Sequence, residues 1–291
     1  MAESFEILIK GGTVVNQAGE LAADIGISDG QIRAIGEIDA SRAGETIDAS
    51  GLYVLPGVID TQVHFREPGM EHKEDLETGS RAAVLGGVTA VFEMPNTSPP
   101  TTTAEALAAK VAAGTNRMHC DFAFFVGATH ENATHLDEFE RLPGAAGVKI
   151  FAGSSTGDLL VEDDETLTQV FSTIRRRCSI HSELESRLRD RLSLRRVGDP
   201  TSHYEWRDVT AALQSTERLL RLARTTGARI HILHVSTGDE MELLSYNKDV
   251  ATVEVTPQHL TFAAPEDYER LGTRVQHNPP IRTRAHQERI W

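Results

Sequence analysis

Gln62 and His64 stand two residues apart at the end of an apolar run, "VIDTQVHFREPG", residues 58–69. Side chains two apart on a strand point the same way, so both would face one spot. Two histidines at that spacing would clasp a metal ion; here one of the two donors is an amide. Polar groups of ligand type recur at the ends of later apolar runs: Lys149 in "GVKIFAG", His181 in "CSIHSE", His231 and His234 in "ARIHILHVS", and His259 in "VTPQHL". A lone histidine at a strand end is more often a satisfied core or loop residue than a ligand. Recurrence along one rim shifts that balance toward a metal site, because neutral imidazoles suit zinc and similar ions. Lys149 is a different kind of group. Inside an apolar run its ammonium loses solvation and its pKa falls. Pairing with a nearby carboxylate is the plain account of it. The sharper one is that the neutral amine captures carbon dioxide and becomes a carbamate, an anionic group with two oxygens that can bridge two cations.

These groups need elements that deliver them to one place. Residues 1 to 55 read as short strands broken by turns, a small β domain, with a hairpin signal at "SDGQ". From residue 56 onward, short apolar runs alternate with helical segments such as "TAEALAAKVAAG" and "STERLLRLARTTG". Repeated strand–helix units imply a parallel sheet. Seven such strands are expected between residues 56 and 291, from "GVIDTQVHF", read as a buried strand, to "VATVEVTPQ". A TIM-type (β/α)₈ barrel needs an eighth, so the expectation is a barrel incomplete at its C-terminal side. In such barrels chemistry sits at the C-terminal ends of the strands, which is where the candidate ligands fall.

Composition narrows the partners. Lys and Arg total 29 against 43 Asp and Glu, a net charge of −14. An acidic chain argues against a nucleic-acid binder, which wants a basic face, yet a few local cations can hold an anionic small molecule. The Arg-rich stretch 175–196 also carries Asp and Glu and is expected to be a solvated face. Only Cys120 and Cys178 occur, both at the start of apolar runs, so buried thiols in a reducing, cytoplasmic setting are expected. No apolar run reaches the roughly 18 residues of a membrane span, and no signal peptide is read at the start, so no membrane partner is expected.

The motifs, in their order, resemble the amidohydrolase superfamily and within it the dihydroorotases. "PGVIDTQVHFREPG" is similar to the strand 1 motif, "FEMPNTSPP" to the strand 2 motif with its asparagine, and "GVKIF" to the modified-lysine segment. "IHSELE", "HILHVST", "VTPQHL" and "HNPPIR" resemble the later loop motifs, and "ILIKGGTVV" through "VLPG" resembles the small β-sandwich domain that flanks these barrels. The resemblance implies two metals. The first is expected on the two strand 1 histidines, the lysine carbamate and an aspartate after strand 8. The second is expected on the carbamate and the histidines after strands 5 and 6. The second set is complete, as Lys149, His181 and His234. The first keeps His64 and Lys149, with Gln62 in place of a histidine. The family's catalytic aspartate would lie beyond Trp291. An amide oxygen is a weaker donor to zinc than an imidazole, so one Zn²⁺ is expected to be firmly held and its neighbour weakened. His231 is expected to pack against the sheet. Gln258-His259 and Glu183-Leu184-Glu185 depart from the family's His-His and Glu-Asp-Glu.

Arg66 and Asn96 look like the clamp for a substrate carboxylate, and Asn278 like a contact to its ring. A surface arginine that stabilises its turn is the plainer account of Arg66. The implied chemistry is metal-assisted hydrolysis of a cyclic amide, most simply interconversion of dihydroorotate and N-carbamoyl-L-aspartate in pyrimidine biosynthesis. Two alternatives stand beside it: an allantoinase- or hydantoinase-type hydrolase, and a non-catalytic dihydroorotase-like partner of another pyrimidine enzyme. A homodimer or such an enzyme complex is the assembly the resemblance admits.

Overall fold

The strand-like and helix-like segments are realised as two units, Met1–Val58 and Ile59–Trp291, in a computed structural model that describes residues 4–155 and 159–291. The first unit holds β1 (Phe5–Asn16), β2 (Gly19–Ser28), β3 (Gln31–Gly36), β4 (Ala43–Asp48) and β5 (Tyr53–Val54). The expected hairpin forms: β2 and β3 pair antiparallel with Ser28 opposite Gln31. Asp29 and Gly30 turn the chain with φ of 52° and 66°, the doubly left-handed geometry that matches strand twist and suits Asp-Gly. The order β3-β2-β1-β4, with β5 also on β1, makes a single five-stranded sheet. A sandwich needs a second facing sheet, and the described residues of this unit form none, so that expectation is not met. The apolar side is small, built on Phe5, Leu8 and Ile38, and a buried Asp24 ties it by accepting from the Gly11 and Ile38 N–H groups at 2.8 and 3.0 Å.

The second unit carries β6 (Val58–Val63), β7 (Val88–Glu93), β8 (Asp121–Gly127), β9 (Ala145–Phe151), β10 (Cys178–His181), β11 (Ile230–Ile232) and β12 (Ala251–Val253). They form one seven-stranded sheet in which spatial order follows chain order from β6 to β12. Pairing is parallel from β7 through β12. Thr61 of β6 donates to Glu254, just past β12, at 3.1 Å, so the sheet curls until its first and last strands approach. This is the strand progression of a TIM-type barrel with seven staves. Helices follow the strands, and several of their starts are capped by side chains. Asp75, Thr103, Asp163, Asp208 and Thr237 each accept a backbone N–H of the first turn, satisfying donors a helix start leaves free. The 18-residue helix Val209–Thr226 stops at Gly227, left-handed at φ 76°.

The main core lies between sheet and helices: Val91, Phe124, Val126, Val148, Ile150, Ile180, Ile230 and Ile232 pack against Leu107, Leu167, Phe171 and Leu219. Inside the curl a smaller cluster of Met94, Phe125 and Leu233 fills the floor. One expectation fails at β6. Val58 and Ile59 are 54% and 56% exposed, because an edge strand has a neighbour on one side only. The thiols also differ: Cys178 is buried, Cys120 only half-buried. No helix among the described residues is long and apolar enough to cross a membrane.

A buried ion pair underlies the rim. Glu93, at the end of β7, meets Lys110 of the helix Ala104–Gly114 with both side chains sealed from water. Lys110 also donates to the Met94 carbonyl at 3.1 Å. Removing one partner strands the other charge in the interior. Lys110→Met is therefore expected to lower stability by about 3–5 kcal/mol, read as the shift of a urea unfolding midpoint; a loss below about 1 kcal/mol would show that the pair carries no such weight.

Candidate functional site

The strand register brings the predicted donors to one end of the sheet. Lys149 lies in β9 opposite Ser179 of β10, and His181 closes β10 two residues later. Ser179 in turn faces His231 of β11, and His234 follows β11 by two residues. His64 comes directly after β6. Val148 and Ile150 face the helices as core, so Lys149 between them points to the other face. Its ammonium nitrogen sits 4.4 Å from the centre of the Phe151 ring. His181 Nδ1 and His234 Nε2 face each other at 3.1 Å, and both rings are buried.

Burial sets the charge state of these groups. It pushes His181 down to about 4, and His64 and His234 well below the usual imidazole range. Burial likewise brings Lys149 down to about 7, against a smaller upward pull from Glu254. The charge of Lys149 is felt by His64, His181 and His234, so the four lie in one electrostatic neighbourhood. At neutral pH the three rings are uncharged, the form that binds a metal, and the amine is readily deprotonated. Among the described residues, Gln62 Oε1, Lys149 Nζ and His234 Nδ1 are buried with no hydrogen-bond partner in the protein. Orphaned buried polar atoms are costly; others occur elsewhere, but these three fall on the expected ligands Lys149 and His234 and on the ligand replacement Gln62. Counting only His, Cys, Asp and Glu, no three described residues form a metal-holding group. Two facing imidazoles therefore need a third donor of another kind, and Lys149, as amine or carbamate, is the one at hand. These residues fit one divalent cation well; for a second they offer His64 and the neutral Gln62 amide.

Arg207 escaped the sequence reading, and Glu183 entered it only as a departure from the family's loop motif, with no role. His181 Nε2 meets Glu183 Oε2 at 3.0 Å, which orients the ring and leaves its Nδ1 toward His234. Arg207 Nε reaches both Glu183 oxygens at 3.2 Å, its Nη2 bonds the same carboxylate, and Nη2 also donates to the Ser154 carbonyl at 2.7 Å. Despite complete burial, the Arg207 and His181 contacts hold Glu183 far below the usual carboxylate range. The signal for Glu183 was present: His181 and Glu183 stand two apart, as Gln62 and His64 do. Glu185, the other acid of that loop, accepts the Ser154 N–H at 2.7 Å and so holds the loop after β9.

The substrate-side candidates form a second arc. Arg66 is left-handed at φ 67°, its backbone N–H bonds the buried Glu93, and its Nη1 has no partner in the protein. The turn is locked by Glu67, which accepts Leu76 N–H at 3.0 Å and Arg117 at 2.5 Å, and by Gly69, where a Cβ would fall 2.0 Å from the Ser98 carbonyl oxygen. Asn96 is buried and hydrogen-bonds His64. Asn278 Oδ1 faces His203 Nε2 at 3.0 Å. His259 is held by Thr256 at 2.8 Å and the Pro279 carbonyl at 3.0 Å, which makes it a strut of the loop carrying Asn278. His231 bonds Thr252 at 2.7 Å and Glu254 at 3.2 Å; it belongs to a polar tie between staves, apart from the facing pair.

Comparison with known proteins agrees with this geometry. The family model described as dihydro-orotase-like matches residues 51–154. An allantoinase of Deinococcus radiodurans is 35% identical over 99% of this chain and 66% of its own length. One of Rubrobacter xylanophilus is also 35% identical, over 99% of this chain and 65% of its own. Among solved structures, the L-hydantoinase (dihydropyrimidinase) from Arthrobacter aurescens superposes with a TM-score of 0.92 at 30% identity, covering 99% of this chain and 66% of that one. The chain thus spans about two thirds of the length of the relatives it matches. Facing imidazoles at strand ends, an orphaned lysine in β9 and similarity along nearly the whole chain lead to one assignment: this chain belongs to the dihydroorotase-like cyclic amidohydrolases.

Proposed function

We propose that the protein hydrolyses a ring amide of a cyclic ureide, with one divalent cation held by Lys149, His181 and His234. The observation that carries this reading is the 3.1 Å approach of two neutral imidazole nitrogens beside a buried, unpartnered lysine amine. When bound, a cation such as zinc supplies Lewis acidity that polarises a carbonyl and makes water a better nucleophile at neutral pH. The chain's own residues do the rest. His181 and His234 stay uncharged because they are buried. Lys149, as a carbamate, would add the negative charge the imidazoles lack. Asn96 orients His64, and Arg66 offers a fork to an anionic group on the substrate, since guanidinium donates two parallel hydrogen bonds. Asn278, steadied by His203, contacts the ring.

Allantoin or a hydantoin is the preferred substrate, because relatives similar across nearly the whole chain include allantoinases and a hydantoinase. Dihydroorotate is the second reading, favoured by the unpartnered Nη1 of Arg66. The experiment is turnover of allantoin, hydantoin and dihydroorotate by the zinc-loaded protein. Hydrolysis of one of the first two is expected. If dihydroorotate is the substrate, Arg66→Ala should raise KM about tenfold or more through loss of a charge-assisted pair. Zinc bound with none of the three hydrolysed would favour the non-catalytic reading.

Metal loading should depend on Lys149. Carbamate forms only from the neutral amine, and burial places Lys149 near 7. Uptake of zinc in bicarbonate is therefore expected to fall as pH drops from about 8 to about 6, while the imidazoles, lower still, remain neutral. Elemental analysis after gel filtration checks this, and Lys149→Met should abolish the bicarbonate effect.

Gln62 accounts for an expected stoichiometry near one. Gln62→His restores an imidazole beside His64 and should raise bound zinc toward two per chain, measured the same way. No change would mean that the first set is limited by something other than Gln62.

A further inference from the structure

Two arginines lie behind the facing histidines, and neither belongs to the ligand set or the substrate arc. Arg207 grips Glu183, which holds His181. The backbone carbonyl of Arg207 accepts from Arg282 Nη1. Arg282 Nε then donates to Ser236 Oγ at 3.1 Å, and Ser236 is two residues beyond His234. Every member is buried: Glu183 0%, Ser236 1%, Arg207 3% and Arg282 4% exposed. The contacts run without a break from the loop after β10, through two guanidinium groups, to the loop after β11.

We propose that Arg207 and Arg282 are positioning residues that clip these two loops together and so set the spacing of His181 and His234 for a shared cation. The reading rests on the metal centre proposed above. Two features ask for such a clip. His234 is left-handed at φ 40°, a conformation that costs about 1–3 kcal/mol and persists only where surroundings impose it. The backbone bonds that bracket it, Leu233 N–H to the Ile180 carbonyl at 3.0 Å and Val235 N–H to that of Glu254 at 2.9 Å, fix its neighbours, while the His234 ring is met at Nε2 by His181 and its Nδ1 has no partner among the described residues. On the other side, Glu183 reaches His181 through a side chain with rotatable bonds, and only the planar fork of Arg207 fixes both of its oxygens. Lysine, a point charge on a flexible stem, could not hold that fork.

The test is zinc affinity of the full chain by chelator competition, with cobalt(II) absorption as a report of ligand geometry. Arg207→Met is expected to keep the circular dichroism of the fold, to bind zinc about 10- to 100-fold more weakly, and to shift the cobalt spectrum. Arg207→Lys should recover little of the loss. Ser236→Ala removes one hydrogen bond and almost no volume, so it serves if Arg207→Met does not fold; about threefold weaker binding is expected. A folded Arg207→Met, or failing that Ser236→Ala, that binds zinc as tightly as the unchanged chain and leaves the cobalt spectrum unmoved overturns the clip alone. Failure of the unchanged chain to take up zinc or cobalt overturns the metal centre and the clip with it.

Discussion

Desolvation of basic groups is the constraint on which this site depends. Three imidazoles and an amine sit where their charged forms are heavily penalised, and at Lys149 the pull of Glu254 offsets only a smaller part of that cost. Moving Lys149 from its ordinary 10.5 to about 7 corresponds to about 5 kcal/mol against the ammonium. The consequence is a set of bare lone pairs at neutral pH. Glu183, the fully buried carboxylate that touches His181, is already taken by a guanidinium, so it can orient His181 while its charge is answered elsewhere.

That arrangement needs a rigid frame, and the frame is the register of a parallel sheet. A residue in a strand inherits the position of its neighbours, which is why Lys149, Ser179 and His231 fall in one row, with His181 and His234 following at or just past the ends of their strands. Strain collects at the rim instead of in the staves. Arg66 and His234 are both left-handed, Arg66 in a turn held by Glu67 and Gly69 and His234 between the backbone bonds of Leu233 and Val235. Gly153 shows how tight the packing is: a Cβ there would lie 2.4 Å from the Glu183 carbonyl oxygen, so the loop after β9 can press against the residue that aims His181.

Gln62 makes the two halves of the site unequal. Its amide oxygen is buried and unpartnered, and an amide oxygen lacks the affinity of an imidazole for zinc. On the proposed reading, one strong and one weak position would offer less charge to a developing oxyanion, and Arg66 and Asn96 would then matter more for holding the substrate in place. The allantoinase and hydantoinase relatives and the carboxylate-ready Arg66 pull the substrate assignment in different directions, and the pull from Arg66 rests on one side chain.

Much of the fold could be read from local pattern. The alternation of apolar runs and helical stretches, the Asp-Gly hairpin, the Asp and Thr caps and the glycine stop after Thr226 all act within a few residues, where periodicity and dihedral preference decide. The donors His64, Lys149, His181 and His234 were visible for the same reason, as polar residues ending apolar runs. What the tertiary structure decided was convergence. It separated His231, tied to Thr252 and Glu254, from His234 three residues away, and it made the small domain one sheet instead of two. It brought Arg207 to Glu183 across 24 residues and Arg282 to Ser236 across 46. No spacing rule reaches that far: such contacts depend on which strands pair and in what order, and buried charges reveal their partners only once the chain has closed around them.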